Sequence, residues 1–134
     1  PWGSHPDLDP FWSTEAIEFI HDGFGATRVQ KLALISQYDI ALQSLRVCQS
    51  IHERNNNCGI CEKCIRTMIA LRAIGALDRC TTFDVPLDLK YVYRNYTLNT
   101  LGYNFIRENL EALEENQADP ELAEALRRVK KSLI

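Results

Sequence analysis

Four of the five cysteines in this 134-residue chain, Cys48, Cys58, Cys61 and Cys64, fall within seventeen residues. The last three form C-x2-C-x2-C and Cys48 stands ten residues upstream, so a loop that folds back can bring four thiolates around one tetrahedral ion. Gly59 helps the turn that lets two sulfurs face the same ion. Cys61 and Cys64, three apart, can share a face at the start of the following helix, where the helix dipole favours thiolates. Zinc suits such a set, being tetrahedral, redox-inert and bound readily by sulfur. An iron–sulfur cluster competes, weakened by the lack of Cys-Pro at the bacterial ferredoxin spacing. A redox-active C-x-x-C also competes, but a dithiol switch has no need of a third and fourth cysteine. His52, between Cys48 and Cys58, is an alternative fourth ligand, although a solvated histidine is the default in a polar loop. Cys80 reads as a buried thiol outside the site.

An odd cysteine number with three so close together does not fit a disulfide framework, and clustered thiols in a reducing compartment are more often metal ligands or catalytic groups. With 46% hydrophobic residues the chain can bury an ordinary core, and its net charge of −3 gives no global pull toward nucleic acid or anionic membrane. No apolar run approaches the roughly 20 residues of a membrane span, so no membrane partner is expected, and the chain reads as cytoplasmic. It opens without Met on "PWGSHPDLDPFW", which suggests a fragment whose earlier residues are missing.

The elements that must position the cysteines follow from periodicity and caps. Pro1 to Trp12 reads as an ordered loop. Ser13 is placed to cap a helix that carries Ile17 and Ile20 inward and stops at Gly23 and Gly25. A second helix is expected from about Arg28 to Gln37, capped by Thr27. "SLRVC" is β-tending, "QSIHERNNN" is a surface loop, and Ile65, Met68, Ile69, Leu71 and Ile74 mark a buried helix ending near Gly75. "TTFDVPLDLKYVYRNYTL" reads as irregular or short-strand chain. Its mixed basic and aromatic residues could stack on bases, but in an acidic chain they read as half-buried strand, and a nucleic-acid partner is not expected. Two amphipathic helices close the chain, about Thr100 to Asn116 and about Pro120 to Leu133. Asp119 caps the second, and Leu122, Leu126, Val129 and Leu133 form its apolar stripe. The division is residues 1–98, a zinc-bearing helical region, and 99–134, a helical hairpin packed on it. The fold class is mainly α with short extended segments around a four-cysteine zinc site.

The order Cys48, nine residues, Cys58-Gly59-x-Cys61-x-x-Cys64-x-Arg66, then an apolar helix ending "AIGAL", resembles the C-terminal zinc element of the cyano-deazaguanine synthases of the queuosine pathway. These are PP-loop ATP pyrophosphatases of the adenine nucleotide alpha-hydrolase-like superfamily. "TRVQKLALI" is similar to the family's Lys-bearing helix before the first zinc cysteine, and "GSHPDLDPFWSTEAIEFI" to its substrate-side segment. The resemblance covers about Gly3 to Leu77; beyond about Asp88 nothing matches. It implies a structural zinc and the C-terminal part of a larger α/β PP-loop protein that adenylates a carbonyl or carboxyl group and passes it to a nitrogen nucleophile.

Neither the superfamily's Ser-Gly-Gly-x-Asp-Ser loop nor a Walker-type G-x-x-x-x-G-K-[ST] loop is present in the chain. Adenylation needs a backbone cradle for pyrophosphate, so this chain alone is expected to be inactive, with ATP and Mg2+ bound by an N-terminal PP-loop domain of the intact protein. The resemblance would set Ser4, His5, Asp7 and Asp9 beside the pocket of a small-molecule substrate. Arg66 is a further candidate, lying over the sulfurs or reaching an anionic ligand. The plainer reading of "HPDLDP" is a Pro-braced loop capped by Asp side chains. His21 and Asp22, adjacent in a helix, would point apart. A stand-alone zinc module that binds protein or nucleic acid is the alternative to the enzyme part.

Overall fold

Thr27 opens the first regular helix with a full capping box. Its Oγ1 accepts from the Gln30 amide at 3.2 Å, and Gln30 Oε1 accepts from the Thr27 amide at 2.9 Å. In the computed structural model, which describes residues 4–48, 56–96 and 102–132, six α-helices follow in order: α1 Arg28–Ile35, α2 Asp39–Gln43, α3 Glu62–Ala73, α4 Leu89–Tyr96, α5 Gly102–Glu115 and α6 Pro120–Ser132. Short 3-10 turns lie at Asp9–Trp12 and Leu77–Arg79. The fold is mainly helical, as expected. Among the described residues there is no strand, only one isolated parallel bridge between Asn57 and Phe83, so "SLRVC" is irregular chain rather than strand.

The middle helix, α3, is buried on nearly every side: Ile65, Ile69 and Leu71 are fully enclosed and Met68 almost so. It packs against α1, α4 and α5, while α6 covers α4 and α5. Apolar residues in a helix that meets neighbours all round need no polar face, which is why its amphipathic stripe is broad. It ends at Gly75, whose φ of +67° only glycine adopts freely. There the Ala76 amide reaches Leu71 O at 2.8 Å and the Gly75 amide reaches Arg72 O at 3.1 Å, a Schellman closure. The α5–α6 corner closes similarly at Gln117, and Asp119 Oδ1 accepts from the Leu122 amide at 3.0 Å to start α6. Ile106, Leu113, Leu122, Leu126 and Val129 then join the α3 core. The expected ends of these helices at Thr100 and Leu133 lie outside the described residues.

Two expectations fail for identifiable reasons. Residues 13–22 are not helical, and Ile17 and Ile20 are 59% and 74% exposed. The Ser13 hydroxyl accepts from the Phe19 amide at 2.9 Å and the Thr14 hydroxyl from the Ala16 and Ile17 amides, so side chains take the donors a helix would have used. The stretch "LKYVYRNY", expected as irregular or half-buried strand, is helix α4. Its alternating Tyr91 and Tyr93 mimic period two, but Val92 is the fully buried residue, and Asp88 Oδ1 accepts from the Lys90 amide at the helix start. The short α2 carried no clear sequence signal. No helix among the described residues is long and apolar enough to cross a membrane.

Candidate metal centre

Three chain segments converge on the cysteine sulfurs. Cys48 ends the irregular arm after α2, Cys58 follows buried Asn57, Cys61 is the N-cap of α3 and Cys64 lies in its first turn. The sulfurs of Cys48 and Cys61 are 3.9 Å apart, those of Cys58 and Cys64 are 3.8 Å apart, and all four lie within 4.8 Å of one another. Zn–S bonds of about 2.3 Å in a tetrahedron require sulfur–sulfur edges of ~3.8 Å, so the set fits a single tetrahedral ion such as zinc. A cluster of several irons would divide the four thiolates among different metals and spread the set beyond one tetrahedron's edge. All five cysteines are free thiols, and separations near 4 Å are far from the ~2.05 Å of a disulfide.

Burial pushes the Cys64 and Cys61 thiols up from their ordinary values, with backbone amides at Gly59 and Cys64 partly opposing the shift. These two sulfurs therefore hold their protons at neutral pH until a cation displaces them, which couples metal binding to proton release. Cys80 lies apart from the four. It is 4% exposed, and its thiol donates to Leu42 O at 3.3 Å. His52 falls outside the described residues.

What holds the two arms together is Asn57, a residue that sequence reasoning did not single out. It is 3% exposed, and every polar atom of its side chain is used. Oδ1 accepts from the Val47 amide at 2.9 Å and the Cys48 amide at 3.1 Å, while Nδ2 donates to Leu45 O at 2.8 Å and Thr82 Oγ1 at 2.9 Å. Its own amide donates to Thr82 O at 2.9 Å. One side chain thus fixes the Cys48 arm, the Cys58 arm and the segment after α3. The only available hint was the Asn run directly ahead of Cys58.

Gly59 has φ +69°, and a Cβ there would sit 2.0 Å from Val85 Cγ2. Gly59→Ala is therefore expected to lose about 2 to 4 kcal/mol through left-handed strain plus overpacking. Gly25→Ala, where a Cβ meets nothing within 4 Å, should be near neutral. Denaturant melts of the two metal-loaded variants test this, and equal midpoints would refute it.

No family model, curated protein or solved structure matches the chain.

The other candidates form two separate groups. In the first, the Ser4 hydroxyl donates to Asp9 Oδ2 at 2.8 Å, His21 Nδ1 meets the same oxygen at 2.6 Å, and the His5 amide donates to Asp9 Oδ1 at 3.0 Å. Ser, His and Asp thus meet, yet Ser4 and Asp9 both approach Nδ1, whereas a nucleophilic triad needs the serine at Nε2. The cluster is a loop staple. Asp7 belongs to the same loop, its amide donating to His5 Nδ1 at 3.2 Å. His21, adjacent to Asp22 in sequence, pairs with Asp9 instead.

The His21 contact, with the His5 amide and Ser4 hydroxyl, holds the Asp9 carboxyl down at about 2. A depressed carboxylate contributes stability above its ordinary value near 4 and loses it as pH falls through the folded value. The protection factor of the His5 amide, its intrinsic exchange rate over the observed one at each pH, should accordingly hold down to about pH 3 and fall toward pH 2, and Asp9→Asn should remove that fall. A transition centred near 4 would show that the contacts do not persist in solution.

Arg66 forms the second group, away from that loop. Its side chain is 11% exposed, lies 3.4 Å from Glu62 Oε1 and stacks 4.1 Å above the Phe105 ring.

Proposed function

We propose that this chain is the zinc-stapled C-terminal portion of a PP-loop ATP-dependent enzyme similar to the cyano-deazaguanine synthases. The observation that carries the reading is the four-sulfur tetrahedron, formed by the same cysteines on whose spacing the resemblance rests. In this reading Cys48, Cys58, Cys61 and Cys64 hold zinc, which supplies a fixed four-way junction and no reacting group. The protein's own contribution is to anchor the arm ending at Cys48 and the loop at Cys58–Cys61 onto the buried start of α3.

A second feature supports a larger whole. Phe11, Trp12, Ile17, Phe19, Ile20 and Phe24 are between 48% and 84% exposed along one irregular stretch. So many large apolar side chains on a single segment are unusual for an isolated domain and mark a contact surface. The resemblance gives this segment to the substrate side, where a preceding PP-loop domain would cover it and bring the cradle for ATP and Mg2+. The alternative zinc module would use the same surface for a separate protein partner.

The full gene product provides the test. Preceded by a Ser-Gly-Gly-x-Asp-Ser loop, it is expected to bind ATP with Mg2+ and to release pyrophosphate when offered its acid substrate and ammonia, whereas the 134-residue chain releases none. A gene product without that loop, or one that does not bind ATP, would sink the enzyme reading and leave the interaction module.

A further inference from the structure

Phe105 of α5 lies under two guanidinium groups, Arg66 at 4.1 Å and Arg28 at 5.3 Å from the ring centre. Beside this stack is a cavity of about 230 Å³ between α1, α3 and α5 and the arm that leads to Cys48. Its apolar wall includes Leu32, Ile35, Leu45, Val47 and Ala70, and its polar wall carries three cations, Arg28, Lys31 and Arg66, against one carboxylate, Glu108. Arg66 is already engaged by Glu62. Arg28 and Lys31 form no ion pair among the described residues. Both are exposed on the first turns of α1 while facing the cavity.

We propose that this cavity binds a small organic anion, with an apolar body against the aliphatic wall and a carboxylate or phosphate head between Arg28 and Lys31. An empty cavity lined only by aliphatic groups would select no charge. One whose mouth carries cations with no carboxylate partner among the described residues pays the desolvation of those cations only partly, since they keep contact with water, and gains charge-assisted hydrogen bonds when an anion arrives. Glu108 on the opposite wall disfavours a second negative group and limits the ligand to one anionic head. Phe105 and Arg66 hold each other in place as a preformed wall, so little side-chain ordering remains for binding. Val47 directly precedes Cys48, so the metal centre fixes one wall. The inference does not depend on the PP-loop reading, because it concerns binding by this chain alone.

The test uses the zinc-loaded chain with benzoate, phenyl phosphate, the neutral isostere benzamide and inorganic phosphate, followed by calorimetry and by amide NMR shifts. Benzoate or phenyl phosphate is expected to bind at least tenfold more tightly than benzamide and than inorganic phosphate, with shifts at Ala70, Phe105 and Asn109. Which of the two anions binds better assigns the head group. Arg28→Gln and Lys31→Gln, both at exposed positions, should each weaken binding threefold or more without moving the melting temperature. Phe105→Leu should weaken it further by releasing Arg66. Equal affinity for benzoate, phenyl phosphate and benzamide, no binding of any probe at millimolar concentration, or undiminished binding by the Arg28 and Lys31 variants would each overturn the proposal. A failure here would leave pyrophosphate release by the full gene product unaffected.

Discussion

Stripping the metal from the folded chain is expected to lower its melting temperature by about 10 to 20 °C. A ligand bound at roughly a thousandfold above its dissociation constant stabilises by about 4 kcal/mol, and for a domain of this size each kcal/mol moves the midpoint by several degrees. The effect should be uneven along the chain. Amide protection is expected to fall in the arm before Cys48, in residues 56–61 and in the first turn of α3. The α5–α6 hairpin, held by Ile106, Leu113, Leu122 and Leu126 and by Arg127 bridging Glu114 and Glu124, should keep its own. Cys48→Ser and Cys61→Ser should each reproduce the loss together with loss of metal content. Cys80→Ser should change neither, since its thiol donates to a backbone carbonyl away from the cluster. Metal content that survives Cys48→Ser would break the four-thiolate site.

The pH response of the same centre has two opposite signs. With metal present, binding must displace protons from the buried Cys61 and Cys64 thiols, so affinity rises with pH and metal is released on acidification. With metal absent, the raised thiols remain protonated in the fold when the unfolded chain has begun to ionise, at about 8.5. The native state then binds more protons than the unfolded state, and metal-free stability falls as pH climbs past that point. Melting curves with and without metal from pH 6 to pH 10 should therefore diverge upward. A metal-free stability that stays flat from about pH 8 to about pH 10 would mean that the sulfurs are not desolvated as the structure has them.

Legibility in the sequence tracked the range of the interactions concerned. The C-x2-C-x2-C trio, the Thr27 cap, the Gly75 stop and the Asp119–Pro120 start are encoded within one or two turns of chain, and the structure repeats them closely. Helix α4 is hidden because Tyr91 and Tyr93 sit at strand spacing, and only the burial of Val92 between them decides between the two periods. The false helix after Ser13 came from apolar residues three apart without regard to hydroxyls that compete for their backbone. Ser4 and Asp9 stand in one short loop motif, but the arrival of His21 at Asp9 depends on how that same irregular stretch turns back. The cavity at Phe105 joins α1, α3 and α5 across nearly eighty residues, beyond anything that spacing can carry. The Asn57 hub is hidden for the same reason, because its partners at Thr82 and Leu45 come from opposite sides of the cluster.

That hub makes Asn57→Leu the substitution with the largest expected effect outside the ligands. Leucine matches the volume but removes two acceptor and two donor contacts in a site that water does not reach. The Val47 and Cys48 amides and the Leu45 carbonyl lose their partners, each orphaned group costing on the order of 1 to 3 kcal/mol before relaxation. A net loss of about 3 kcal/mol or more is expected from denaturant melts. Because the Cys48 amide is one of the orphans, the arm that presents the fourth sulfur is no longer held in place, and metal affinity should fall at least tenfold by competition with a chromophoric chelator. Asn56→Ala supplies the internal control one residue away. Its Nδ2 reaches both Asp84 oxygens at 2.8 Å on the exposed surface, a contact whose loss should stay within about 1 kcal/mol and leave metal affinity alone. Should Asn57→Leu lose stability while keeping full affinity, the hub would serve the fold only, and the metal would be arranging its own ligands.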